Sequence, residues 1–170
     1  MAKEGTNAVV DRLLTVLNDA SGYLATELDA QDADYGDGIT LADIPDRDQH
    51  YGDSIELPPP QNFPCLYILP RGWTEFELLF GKKDVIHMID VQVYAAHTNH
   101  QTLTKMLWRY ARAVEFVLEK YTIDGVTLYD MEWAGVSYSP SAPWRETGMM
   151  IQGVQLNGRF KERVERPFSV

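Results

Sequence analysis

The segment VIHMIDVQVYAA, residues 85–96, decides the fold because apolar and polar side chains alternate along it. The alternation places Val85, His87 and Ile89 on one side of an extended chain, and Met88 and Asp90 on the other. One side is mainly apolar, which favours burial against a second layer. We therefore predict a β-strand over residues 85–95.

Two amphipathic helices are predicted to supply that second layer. Leu and Val recur at helical spacing over residues 7–28, which predicts the first helix. Thr98 and Gln101 form a capping box at the start of the second, whose apolar positions repeat until about Lys120. Each helix has one face that must be buried.

Further strands are expected from short apolar or alternating runs bounded by Pro and Gly, at residues 63–70, 75–80, 126–138 and 149–164. We interpret the runs 63–70 and 75–80 as two strands, or as a strand and an irregular arm. Strands that follow one another through turns favour antiparallel pairing. We predict a single α+β domain over residues 1–170, with a mainly antiparallel sheet of four or so strands and two helices packed on one face.

The acidic residues are concentrated in one segment. Residues 27–56 hold ten Asp and Glu side chains against Arg47 alone, and three prolines follow at 58–60. The segment is rich in Gly and Asp and lacks apolar periodicity. We predict a long acidic insertion loop over residues 27–60, between helix 1 and the sheet, and a second exposed loop over residues 139–148.

The overall charge excludes some functions. The 170-residue chain has a formal net charge of -10, the wrong sign for a protein that binds nucleic acid by neutralising phosphates. No run of residues is long and apolar enough to span a bilayer, and no secretory leader is recognisable, so no membrane partner is expected. The single Cys65 lies in an apolar run, which suits a reducing cytoplasm.

Motifs that carry chemistry are not found. The sequence has no phosphate-binding loop, dinucleotide fingerprint, nucleophile elbow or zinc-ligand spacing. His87 is read as a core or interface histidine in preference to a catalytic one, and His97 with His100 would need a further ligand to bind a metal. Asp90, Asp130 and Glu132 fit strand positions as well as a carboxylate pair. We expect no enzyme activity, no catalytic residue and no cofactor.

One acidic motif partly matches a calcium loop. In DADYGDGITLAD, residues 32–43, Asp32, Asp34 and Asp43 stand at positions 1, 3 and 12. The order of Gly36 and Asp37 is the reverse of what such a loop requires, and Asp replaces the closing Glu. A solvated acidic loop is the preferred reading, and a calcium-dependent binding module is an alternative.

Aromatic and cationic residues in exposed positions indicate contact with other protein subunits, because Trp and Arg are enriched at interface hot spots. We also expect an exposed apolar or aromatic strip on the second sheet face, formed by Met88, Tyr94, Tyr129, Met131 and Trp133. The C-terminal basic strand is predicted either to pair with the acidic segment of a neighbour or to face solvent. The candidate contact residues are Trp108, Arg109, Arg112, Trp144, Arg145, Arg159, Lys161 and Arg163.

The order of these elements resembles the tail-terminator, or tail-completion, and related neck proteins of long-tailed bacteriophages. The resemblance covers residues 60–165 and helix 1. It is carried by the run FPCLYILP, the strand VIHMIDVQVYAA, the helix LTKMLWRYARAVEFVLEKY and two closing strands. The long acidic insertion departs from the family pattern.

The resemblance implies a non-catalytic virion protein that is assembled in the bacterial cytoplasm. Its partners would be copies of itself in a ring, usually a hexamer, together with the tail tube protein and the head-side connector or stopper. Genome DNA would pass through the lumen without specific binding. The alternatives are a head-completion adaptor, a tail-tube subunit, or, from other classes, the calcium module and a hydrolase without a sequence signature.

Overall fold

The computed structural model describes residues 5–44, 47–49, 62–78, 82–126 and 128–165. The chain is an α+β protein with a mainly antiparallel sheet, as the sequence predicts. The elements are α1 (Thr6–Leu17), α2 (Tyr23–Tyr35), β1 (Arg47–Gln49), β2 (Cys65–Glu77), β3 (Lys82–His97), α3 (His100–Tyr121), β4 (Asp130–Tyr138), β5 (Ala142–Trp144) and β6 (Met149–Glu165).

The strands form one open sheet in the order β1-β2-β3-β6-β4, and β5 also pairs with β6. All pairs are antiparallel except β1 with β2. The two central strands, β3 and β6, pair along the whole length of β3. This order places β2 and β4 on opposite sides of the central pair.

The main core lies between the sheet and the three helices. Ile89, Val91 and Val93 of β3 are fully buried at alternate positions, as the strand pattern predicts. They share one cluster with Leu107 and Val114 of α3 and with buried residues of α1 and α2. A smaller cluster of Cys65, Tyr67 and Leu69, with Phe63 and Tyr94 packed against it, is separate from this core.

The predicted first helix is two helices, and the second enters the acidic segment. Gly22 adopts a left-handed φ of 68°, which ends the continuous pattern that was read over residues 7–28. Helix α2 continues to Tyr35, with its Leu24 and Leu28 packed on the main core. It ends at Gly36, with φ of 54°, whose N–H donates to the Asp32 carbonyl. The loop between helix and sheet therefore starts at residue 36 instead of 27, and residues 45–46 and 50–60 of the predicted insertion lie outside the described residues.

Other boundaries also differ from the sequence prediction. The N-cap of α3 is Asn99, whose side chain accepts a hydrogen bond from the Thr102 N–H, so the Thr98 capping box is wrong by one residue. Residues 65–77 form a single strand with a bulge between Pro70 and Gly72. The predicted loop over residues 139–148 contains the short strand β5.

Candidate assembly surfaces

Trp108, Arg112 and Phe116 form what we call the helix patch. They lie one turn apart on α3, on the side away from the buried positions. Trp108 is 53% exposed and Phe116 nearly as much, while Arg112 reaches Glu115 at 2.8 Å on the helix surface. Two large aromatic side chains so exposed on one helix are typical of a surface that another protein covers.

Arg109 has a different environment on the same helix, since it is 3% exposed. Its Nη2 donates to Asp37 Oδ2 at 2.6 Å, and its guanidinium lies 4.1 Å from the centre of the Tyr35 ring. The hydrogen bond from Arg109 is the main cause that lowers the pKa of Asp37. Arg109 therefore holds the acidic segment against α3 within one subunit.

The acidic segment uses further carboxylates internally. Asp32 Oδ2 accepts the Leu41 N–H at 2.7 Å, and Lys105 Nζ lies 3.7 Å from Asp37 Oδ2. Asp34 and Asp43 are exposed. Across the described part of the chain, no three His, Cys, Asp or Glu side chains are grouped so that they could hold a metal ion. The same residues include no helix with the length and apolar character needed to cross a bilayer.

The basic residues of β6 are paired within the sheet. Arg159 Nη1 donates to Glu132 Oε1 at 2.9 Å, Lys161 Nζ lies 3.6 Å from Asp130 Oδ2, and Arg163 Nε donates to Asp84 Oδ1 at 2.9 Å. Arg163 also lies over the Tyr129 ring, 4.6 Å from its centre. Burial and the neighbouring Asp84 raise the pKa of Tyr129 to about 12. Each of the three cations thus already has a carboxylate partner within its own sheet.

The sheet face away from the helices, the open face, carries polar groups beside the small cluster of Cys65, Tyr67 and Leu69. Asp90 is buried there, where its carboxylate accepts hydrogen bonds from Arg71 Nε at 2.6 Å and Asn157 Nδ2 at 2.7 Å. Gln92 Nε2 donates to Gln155 Oε1 beside it. The expected apolar strip is wrong for Met131 and Trp133, which pack on the main core, whereas Met88 and Tyr94 do lie on the open face.

Trp144 and Arg145 lie where β5 turns toward β6. The Arg145 guanidinium is 4.6 Å from the centre of the Trp144 ring, which meets Phe63 edge-on at 5.0 Å. Arg145 is exposed and has a left-handed φ of 49°, whereas Trp144 is half-buried. The pair remains a predicted contact point at the side of β6.

Sequence reasoning missed a set of apolar residues near the end of the β2–β3 hairpin. Trp73 is 61% exposed on the helix face, and Phe76 and Met88 are exposed on the open face; together with the exposed Leu78 they define the hairpin patch. The alternation of these strands predicts pairing but does not say which part of a strand extends beyond the helices.

A second missed surface lies on β4. All residues from 134 to 138 are exposed, including Val136 and Tyr138, which we call the β4 patch. Both pair in register with buried residues of β6, Leu156 and Val154, so they face the helix side of the sheet. Burial is the main cause that raises the Tyr138 pKa, and Glu115 of α3 adds to it.

His87 is a buried, hydrogen-bonded core histidine. Its Nε2 lies 2.8 Å from Glu162 Oε2, and its Nδ1 lies 3.2 Å from the Thr6 hydroxyl. The Gly5 N–H donates to both Glu162 oxygens, at 3.0 and 3.1 Å. Burial opposes ionisation of Glu162, but the bonds from His87 and Gly5 outweigh it and lower the carboxyl pKa. This cluster fastens the start of α1 to the sheet.

Comparison with known proteins gives no family. No family model matches the sequence, and no curated protein does. Among solved structures, the chain is similar to a chain of one described as "Virion of native gene transfer agent (GTA) particle". The identity is 13% and the TM-score 0.37, over 84% of this chain and 93% of the other. Values this low identify neither the family nor the function of the chain.

Proposed function

We propose that this chain is a structural protein of a tailed-phage virion, and specifically the tail terminator. Copies of it form a ring that caps the tail tube, stops its polymerisation and joins it to the head-side connector. The resemblance of residues 60–165 to tail-terminator and neck proteins supports this assignment. The confirmed α+β class, with helices on one side of the sheet, agrees with it.

The observation that carries the proposal is the presence of separate exposed apolar patches on different sides of one subunit. The hairpin patch lies at the β2 side of the sheet, and the β4 patch at the opposite edge. A closed ring of identical subunits requires heterologous contacts between two such different surfaces. The helix patch supplies a third surface, suited to a tube end or a connector.

The electrostatics agree with a ring through which DNA passes. The chain has a net charge of -10, and the cations of β6 are already paired with carboxylates. Phosphate contacts that would hold DNA are therefore disfavoured. Exposed carboxylates such as Asp29, Asp34 and Asp43 add repulsion wherever they face the lumen.

Imaging of the purified protein by negative-stain electron microscopy, alone and mixed with tail tubes, tests the proposal. We expect annuli, either free or seated at the tube end. Deletion of the gene is expected to give overlong tails. A stable dimer that leaves tube ends bare contradicts the proposal.

A head-completion adaptor or a tube subunit is the second candidate, because any ring-forming virion protein needs the same two kinds of patch. Loss of an adaptor would leave filled or leaking heads beside free tails of normal length. Loss of a tube subunit would leave no tails. Tail length in the deletion strain therefore separates the three roles.

A further inference from the structure

Arg145 differs from the other described arginines in two ways. Among the Arg side chains that the structure describes, it is the one with no carboxylate partner. It is also the one residue other than glycine with a positive φ in the described ranges. This backbone conformation favours glycine, asparagine or aspartate, so a long cationic side chain is unusual there. Strain of this kind points to a function for the side chain.

The Arg145 side chain is oriented but has unused hydrogen-bond donors. Its guanidinium lies 4.6 Å from the centre of the Trp144 ring, and Phe63 meets that ring edge-on at 5.0 Å. A guanidinium carries five N–H donors, and no hydrogen bond joins those of Arg145 to another described residue. The adjacent Glu146 is also exposed. An exposed guanidinium with free donors is suited to bind a carboxylate of another molecule.

Two exposed carboxylates, those of Asp34 and Asp43, form what we call the acidic corner. No described Lys or Arg pairs with either of them. The Asp32 carboxylate accepts the Leu41 N–H at 2.7 Å, which holds residues 41–43 beside the end of α2. Burial raises the pKa of Tyr110, and the charges of Asp32 and Asp43 add to the rise, so both carboxylates lie near the same ring. The corner therefore presents unpaired negative charge at the surface.

The acidic corner and Arg145 lie at the same end of the sheet. Strand β1 runs parallel to β2 and begins at Arg47, opposite Leu66 near the start of β2. Residues 41–44 come shortly before β1, so they lie at the end of the sheet where β2 begins and β3 ends. Strand β6 begins at this same end, where Met150 pairs with His97. Arg145 stands in the turn that leads into β6 and is therefore at the same level.

The two groups lie on opposite flanks of the subunit. The acidic corner leads into β1, at one side of the sheet, whereas β5 and Arg145 lie on the β4 side of β6. Helix α3 agrees, because its Arg109 holds Asp37, while its Glu115 is close enough to Tyr138 of β4 to add to the rise that burial causes in the Tyr138 pKa. Six residues along a helix change the direction of a side chain by about 120°. One subunit therefore cannot join Arg145 to its own acidic corner.

We propose that the Arg145 guanidinium of one copy binds the acidic corner of the next copy, as the polar part of the contact between subunits. The inference rests on the proposed ring and names one contact in it. In a ring, all subunits share one orientation about the axis, so groups at the same level on opposite flanks meet at every interface. A two-fold dimer uses a single patch of each subunit and cannot join two opposite flanks.

Arg145→Asp tests the contact without a penalty to the fold, because aspartate tolerates a positive φ. Loss of charge-assisted hydrogen bonds should raise the protein concentration needed for ring-sized species by about tenfold in mass photometry. Glu146→Gln changes the adjacent exposed charge and is the matched control, which should not raise that concentration. Circular dichroism melting confirms that each variant is folded. A folded Arg145→Asp variant that assembles like the parent chain overturns the inference.

A charge exchange identifies the partner of Arg145. Asp34→Lys combined with Asp43→Lys places cations at the acidic corner and should weaken assembly in a chain that keeps Arg145, because like charges then meet. The same two substitutions together with Arg145→Asp restore opposite charges at every interface. We expect this triple variant to assemble at a lower concentration than either parent variant. A folded triple variant without such recovery overturns the inference.

Cross-linking gives a readout that does not depend on the strength of assembly. Arg145→Cys and Asp34→Cys each place a thiol on one flank, and the native Cys65 is buried. A mixture of the two variants, treated with a short bismaleimide, should give cross-linked dimers. Neither variant alone, nor the parent chain, should do so.

The outcomes separate this inference from the proposed function. Cross-linking of Arg145→Cys alone indicates a two-fold contact and overturns the inference. Annuli without cross-links in the mixture overturn it as well, but leave the ring intact. A chain that stays monomeric at every concentration and on tube ends overturns both. Cross-linked rings that ignore tail tubes support the contact and contradict the terminator role.

Discussion

At the scale of single residues, Glu162 couples stability to pH. Burial would raise its pKa above the ordinary value of 4.5, but the bonds from His87 and Gly5 lower it. A carboxyl whose pKa is lower in the folded than in the unfolded state stabilises the fold above its unfolded pKa and loses this contribution as pH falls through the folded value. We expect the free energy of unfolding to decrease below about pH 4.5, and Glu162→Gln to weaken that dependence.

The size of the effect is measured by urea denaturation at neutral pH. Glu162→Gln leaves buried donors facing a weaker acceptor, which is expected to cost about 1–3 kcal/mol. Glu132→Gln is the control, since Glu132 is 66% exposed in its ion pair with Arg159 and should lose less than about 1 kcal/mol. Equal losses in the two variants would argue against a special role for Glu162.

The side chains around Gly158 leave no room for a larger residue at this position. An added Cβ would come within 2.8 Å of Phe160 Cζ and 3.2 Å of Trp133 Cζ3, and Phe160 is fully buried. Gly158→Ala should therefore destabilise the protein by about 1–3 kcal/mol through overpacking. At Gly135 on β4, an added Cβ meets nothing within 4 Å, so Gly135→Ala is the matched control. Thermal melting of both variants checks the prediction.

At the scale of elements, the contact between α3 and the acidic segment depends on Arg109. Arg109→Met removes the charge-assisted bond to Asp37 and should lower the melting temperature. It should also speed hydrogen exchange over residues 36–44. Arg112→Met, one turn further along α3, alters an exposed side chain and should leave both unchanged. Unchanged exchange in Arg109→Met would show that other contacts hold the segment.

The helices that lead into this segment show why element boundaries are hard to predict from sequence. Apolar spacing in residues 7–28 correctly predicted helix, but the spacing continues through Gly22, and the left-handed turn there cannot be read from periodicity. The carboxylates after Glu27 suggested a loop, although residues 29–35 are helical because Leu24 and Leu28 pack on the core. Tertiary burial outweighed local composition.

At the scale of the whole molecule, sequence predicted which residues alternate but not which faces are covered. It found the buried side of β3 and the amphipathic α3. It placed Arg109 among exposed contact residues, although Asp37 and Tyr35 enclose it. It also missed Trp73 and Val136, because exposure depends on where neighbouring layers end, and that is a property of the assembled fold.

The helix patch gives a prediction about assembly. Trp108→Ser should change the free energy of unfolding by less than about 0.5 kcal/mol, because the side chain is largely exposed. It should weaken binding to tail tubes, since exposed Trp residues often carry interface energy. Glu119→Ser, also exposed on α3, is the control. Pelleting with tail tubes measures the difference, and equal binding by both variants would remove the helix patch from the proposed interface.

The two apolar patches on opposite sides of the sheet have a geometric consequence. In an assembly built by heterologous contacts between them, the number of subunits follows from the angle through which each subunit turns relative to the next. An angle that divides a full circle closes the assembly, and any other angle yields an open helical fibre. The stoichiometry would then be set by that angle, and a substitution that changes the angle would produce filaments.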